Sequence, residues 1–113
     1  MEMKTIAADD RITHVALEGR LDMVGARSIE LPFAALVCSR RKPALIDLSK
    51  VSFLASYGIR VLMGGAKSLQ ANGVKLVLLK PQAQVLETLR LACLLELIPV
   101  EEDEAKARAL LGV

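Results

Sequence analysis

The residues able to do chemistry gather in one stretch: Asp47-Leu48-Ser49-Lys50-Val51-Ser52-Phe53-Leu54-Ala55-Ser56-Tyr57-Gly58-Ile59-Arg60. An apolar strand, Ala44 to Leu48, leads into a short polar turn. A second apolar run, Val51 to Leu54, stops abruptly and a helix begins. That order predicts Ser56 as the helix N-cap, where the first-turn N–H groups lack intrahelical acceptors. A hydroxyl suits such a position, and a phosphate suits it better, because the helix dipole favours negative charge there. Arg60, one turn on, could pair with that phosphate. The plain alternative is a serine that caps and does nothing else.

Other chemistry is sparse. Hydrolysis through Ser56 would need a neighbouring base, and His14 is the only histidine. There is no Gly-rich phosphate loop, no ligand-spaced His/Cys cluster and no pair of carboxylates at helical spacing in an apolar setting. No catalytic residue, metal ligand or cofactor is therefore expected, and the chain is not read as an enzyme. His14 reads as a surface or half-buried strand residue. Glu101-Glu102-Asp103-Glu104 reads as the acidic first turn of a helix, and Arg40-Arg41-Lys42 as a solvated helix end, both matched to the dipole. Asp47 is expected to hydrogen-bond locally at its strand end. Asp22 is either a simple turn residue or part of a binding surface. Gly58 leaves room for a close approach, whether by the chain's own backbone or by a partner.

With 113 residues and 53% hydrophobic content, residues 1–113 are expected to form one domain whose core needs no metal or disulfide. Aromatics are only 3%, which makes the core aliphatic and argues against base stacking or aromatic cages. A net charge of +2 is too small to imply nucleic acid or an anionic membrane as partner. Cys38 and Cys93 lie in apolar helical contexts and read as buried free thiols, consistent with a reducing cytoplasm. No signal-peptide pattern is seen, and no apolar run approaches the ~20 residues needed to cross a bilayer. The expectation is a cytoplasmic monomer or weak dimer with no direct nucleic-acid contact and no direct membrane insertion.

The elements that must position Ser56 alternate along the chain. Lys4 to Ala7 and Arg11 to Glu18 read as a hairpin turned at Asp9-Asp10, with Val15 and Leu17 facing one way and His14 and Glu18 the other. Gly19-Arg20-Leu21-Asp22 closes the second strand. Val24 to Arg41 is helical in composition, but Pro32 predicts a kink or a restart there. The helix from Tyr57 to Ala71 places Ile59, Leu62, Met63, Ala66 and Leu69 on one face and stops at Asn72-Gly73. Val74 to Leu79 is a nearly continuous apolar strand. Pro81 opens a helix to about Leu91, with Val85, Leu86 and Leu89 inward. Ile98-Pro99-Val100 is a short edge strand, and a last helix carries Ala105, Ala109 and Leu110. Together these predict an α/β fold: a mixed sheet of four to five strands with about four helices. Its sheet core comprises Val15, Leu17, Leu45, Ile46, Leu76 and Leu78, covered by Leu62, Met63, Ala66, Val85 and Leu89.

In this order the motifs resemble STAS domains, most closely the stand-alone bacterial anti-sigma factor antagonists. Asp47-Leu48-Ser49, the following hydrophobic pair, Ser56 and Gly58 look like the family's signature. Leu17-Glu18-Gly19-Arg20-Leu21-Asp22 is similar to its N-terminal motif, and Val74 to Leu79 and Leu95 to Val100 to its later strands. The resemblance covers nearly the whole chain. It implies a non-enzymatic binding module whose partner is an anti-sigma factor with serine kinase activity, with Ser56 as phosphoacceptor. The partner surface it implies is Asp22, Ala55, Tyr57, Gly58 and Arg60. Three positions depart from the pattern. Ala55 replaces a usual acid, removing a carboxylate that could orient the hydroxyl. Tyr57 replaces a small residue, and Arg60 stands where many members have glycine. A STAS module serving a transporter or a stress-sensing assembly without phosphorylation is the alternative.

Overall fold

The computed structural model describes residues 1–113. Strands β1 (Glu2–Ala8) and β2 (Thr13–Leu21) form an antiparallel hairpin. Its turn is closed by the Asp9 carboxylate, which accepts from the Arg11 and Ile12 N–H groups at 2.8 and 3.0 Å. Those local bonds keep Arg11 out of β2, so the second strand starts later than its composition predicts. Strands β3 (Ala44–Leu54), β4 (Leu76–Leu79) and β5 (Val100–Glu101) add in parallel, giving one sheet in the order β1-β2-β3-β4-β5. Helices α1 (Met23–Phe33), α2 (Ser56–Ala71), α3 (Ala83–Leu91) and α4 (Glu104–Leu111) complete the chain. The expected mixed sheet of up to five strands with four helices is the observed one.

Two cores form because β4 and the first residues of β3 are covered on both faces. Val15, Leu17, Ile46, Leu48, Leu76 and Leu78 face α1, α2 and α3 in the larger core, against Leu62, Ala66, Leu69, Val85 and Leu89. Met63 is only half-buried at its margin. Leu45 belongs to the opposite face, with Ile12, Val77 and Leu79 under Ala107 and Leu111 of α4. The inward face of α4 is thus Ala107 and Leu111, and Ala105, Ala109 and Leu110 are exposed. That second cover also corrects the reading of His14, which is only 5% exposed. Burial holds its imidazole below the usual histidine range, with Glu104 and Arg108 of α4 and Asp47 of β3 as the nearby charges.

Several local expectations change for identifiable reasons. The polar turn expected at Ser49-Lys50 does not form: β3 runs unbroken to Leu54, absorbing two one-residue register shifts against β2. At the first of these the Asp47 carboxylate accepts from the Ser49 N–H at 2.8 Å. Pro32 stays inside α1, and the helix widens directly after it into a π turn, Ala34–Cys38. Proline has no N–H to donate, so the ladder re-registers within the next turn. Arg40 is no solvated helix end. Its guanidinium donates to the Thr13 hydroxyl at 2.8 Å and to the Asp9 and Ile12 carbonyls, tying the loop before β3 to the hairpin turn. Of the four C-terminal carboxylates, Glu101 ends β5 and Asp103 caps α4, accepting from the Ala105 and Lys106 N–H groups.

Cys38 is half-buried and Cys93 exposed, and both are free; neither is the buried thiol that its apolar neighbours predict. Reductant is accordingly expected to leave Tm unchanged, since there is no cross-link to remove; a thermal melt with and without dithiothreitol checks this. Leu62 is fully buried under the sheet. Leu62→Ala should cost about 2–5 kcal/mol in a denaturant titration. A loss below ~0.5 kcal/mol would remove Leu62 from the core.

Candidate functional site

The site is assembled where β2 and β3 end together. Leu21 pairs with Leu54, and the Ala55 N–H donates to the Leu21 carbonyl at 3.0 Å. Immediately beyond, the chain enters α1 from Asp22 and α2 from Ala55, so the two helix N-termini stand side by side. Asp22 is the N-cap of α1: its carboxylate accepts from the Gly25 N–H at 2.8 Å. That bond holds the Asp22 carboxyl below the usual aspartate range, with the nearby Arg20 acting in the same direction. Arg20 lies 3.5 Å from Asp22 and stacks 4.3 Å over the Phe53 ring.

At α2 the structure corrects the capping expectation. The N-cap is Ala55, with extended backbone at φ −121° and ψ 178°, and Ser56 is the first helical residue. The reason is the Leu21–Ala55 bond, which prolongs the extended conformation one residue past Leu54. Alanine has no oxygen to offer, and no side chain caps this helix. The first-turn N–H groups of α2 therefore face outward around an exposed Ser56 hydroxyl.

Tyr57 is half-buried and directed onto α1, where its hydroxyl donates to a Glu30 carboxylate oxygen at 2.9 Å. That hydrogen bond to Glu30 raises the phenol's pKa, so it stays protonated and donating. Arg60 is exposed, with its guanidinium 5.4 Å from the centre of the Tyr57 ring. Gly58 is buried and faces inward: a Cβ there would lie 2.7 Å from the Leu21 carbonyl oxygen. Its bareness serves the chain's own packing. Asp22, Ala55, Ser56, Tyr57 and Arg60 are thus brought together at one end of the sheet, and Gly58 lies just beneath them. The Glu30 partner of Tyr57 and the exposed apolar residues of α1 beside it (Val24 at 79% and Leu31 at 81% exposed) escaped the sequence reading. The spacing of Val24 and Leu31, two turns apart and outside the inward stripe, was the available signal. Within the chain no group of three or more His, Cys, Asp or Glu side chains is arranged to hold a metal ion.

Residues 3–107 match the STAS domain, and the chain belongs to that family. BtrV of Bordetella bronchiseptica, a proposed anti-sigma factor antagonist, is 27% identical over 100 residues, covering 88% of this chain and 86% of BtrV. Among solved structures, a proposed anti-sigma factor antagonist from Thermotoga maritima superposes with a TM-score of 0.85 at 17% identity, over 95% of this chain and 92% of that one. The anti-sigma factor antagonist SpoIIAA in its unphosphorylated form gives 0.76 at 17% identity, over 99% and 96%. The Bacillus protein in its phosphorylated form gives 0.70 at 18% identity, over 96% and 99%. Proteins of this antagonist family are regulatory and non-enzymatic.

The corrected cap changes the expected energetics. Ser56→Ala should leave unfolding free energy within ~0.5 kcal/mol of wild type, because no cap bond is lost. Asp22→Ala should lower Tm measurably at neutral pH. The Asp22 carboxyl is held low in the folded state, so its contribution is present above the unfolded aspartate pKa. It fades as pH falls through the folded value, and the two melting curves should converge well below about pH 4. Parallel thermal melts between pH 2 and 7 check both statements.

Proposed function

We propose that this protein is an anti-sigma factor antagonist that acts in the cytoplasm. It binds an anti-sigma factor with serine kinase activity and is switched off by phosphorylation of Ser56. The observation that carries this reading is the uncapped N-terminus of α2 around an exposed hydroxyl. Free N–H groups and the positive end of a 16-residue helix form a receiving site for an anion. Phosphate on Ser56 would sit over those groups without displacing any cap. Arg60, at the i+4 position, holds only the Tyr57 ring and makes no ion pair, so it is available to the phosphate.

With alanine at position 55 the hydroxyl has no carboxylate beside it in sequence, and the Asp22 carboxylate is engaged by the Gly25 N–H and Arg20, so deprotonation falls to the kinase. Tyr57 adds less hindrance than its size implies, because Glu30 draws the ring onto α1. The switch then acts on the partner: a surface fitted to a neutral hydroxyl must accept about −1.5 to −2 charges. A poorly compensated charge at an interface costs several kcal/mol.

Ser56→Asp should keep Tm near wild type while weakening binding to the kinase at least tenfold, and Ser56→Ala should bind like wild type. Calorimetric titration of the purified partner with the three proteins decides the matter. Equal affinity for Ser56→Asp and wild type would sink the phosphoswitch and favour a constitutive subunit of a transporter or stress-sensing assembly. An intact mass lacking any phosphate-sized increment after incubation with kinase and ATP would point the same way.

A further inference from the structure

Of the seven glycines, Gly64 alone has no reason inside the chain to be glycine. Gly19, Gly73 and Gly112 have positive φ, and at Gly25, Gly58 and Gly65 a Cβ would press against neighbouring atoms. Around Gly64 nothing lies within 4 Å of where a Cβ would be. Yet it sits in the middle of α2, where glycine weakens a helix relative to alanine. Gly64 opens onto a groove of about 240 Å³ between α2 and the end of α1, with Phe33 and Val61 in its apolar lining, the Cys38 thiol beside them, and Glu30 and Arg60 as its charged rim. Glu30 is engaged by Tyr57, whereas the Arg60 guanidinium has no carboxylate partner. Ser56, Arg60 and Gly64 follow one another at i, i+4 and i+8, all exposed on one stripe of α2.

We propose that this groove is the second half of the partner's footprint. The anti-sigma factor kinase packs a small apolar side chain and its backbone against Gly64, and presents a carboxylate to Arg60. The inference rests on the antagonist reading and extends it from Ser56 two turns along α2. The missing side chain makes room for a close approach that the chain itself never makes. The unpaired cation selects an acidic partner residue, and continuity with Ser56 selects the kinase over any other occupant. Arg60 would then serve two anions in turn, the partner's carboxylate before modification and the Ser56 phosphate after it, so modification would remove one of the partner's anchors.

The test uses each serine-kinase anti-sigma factor of the source genome, purified and titrated against wild type, Ser56→Asp, Gly64→Leu and Arg60→Glu. Gly64→Leu should melt at or above the wild-type temperature, because it replaces a mid-helix glycine, so weaker binding cannot be ascribed to unfolding. It should nevertheless bind the kinase at least tenfold more weakly, and Arg60→Glu should do likewise with a reduced dependence on salt. If Ser56→Asp releases the kinase while Gly64→Leu binds within twofold of wild type, the groove inference fails and the antagonist reading stands. If no such kinase binds the wild type, both fall together. A change in oligomeric state of Gly64→Leu by light scattering would make the groove a contact between copies of this chain, which also overturns the proposal.

Discussion

One backbone hydrogen bond, from the Ala55 N–H to the Leu21 carbonyl, organises the end of the molecule that carries the candidate site. It is the last rung of the parallel β2–β3 pairing, and it brings two strands that start more than thirty residues apart to a common end. Both helices that leave the sheet there inherit their positions from it. It makes Ala55 the N-cap of α2 and places Ser56 in the helix proper. The same carbonyl forbids a side chain at Gly58, whose Cβ would lie 2.7 Å from it. A residue with any side chain at position 58 would push α2 away from β2 and separate Ser56 from Asp22.

The seam between α1 and α2 is the second determinant. Tyr57 reaches across it to Glu30, and Phe33 fills the space that Gly65 leaves, its ring 2.9 Å from where a Cβ would be. Pro32 and the π turn after it belong to this seam. Phe33, the last residue of α1, and Val37 within the π turn both face inward and are buried. The outward face of α1 is left with Val24 and Leu31 exposed next to the site.

What was legible in the sequence was what depends on local periodicity. The two-residue alternation through Val15 and Leu17, the helical spacing from Leu62 to Leu69 and the apolar run from Val74 to Leu79, of which Leu76 to Leu79 form β4, each report one element's own environment. What was not legible depends on elements distant in sequence. His14 is buried by α4, some ninety residues later, and Arg40 is bound by a turn thirty residues earlier. The position of the α2 cap missed by one residue, because bulges in β3 carry the strand past its polar interruption and a cross-strand bond extends it further. Ser56, Asp22 and Arg60 were found from residue type and order, whereas Glu30 joined them only once α1 was packed beside α2.

Strand β4 pairs with β3 only over Ala44 to Asp47, so the longer half of β3, the half that carries the site, has no strand on its outer side. Two side-chain amides take up part of that edge: Gln82 donates to the Ser49 carbonyl at 3.0 Å and Gln84 to the Ser52 carbonyl. An exposed strand edge is a template on which a foreign chain can add as a further strand, and natural sheets guard against it. Here the guard is the start of α3 and not a proline or a bulge alone. The two glutamines thus guard the edge against a foreign strand as well as against fraying, and they do so beside the surface proposed above to receive a partner.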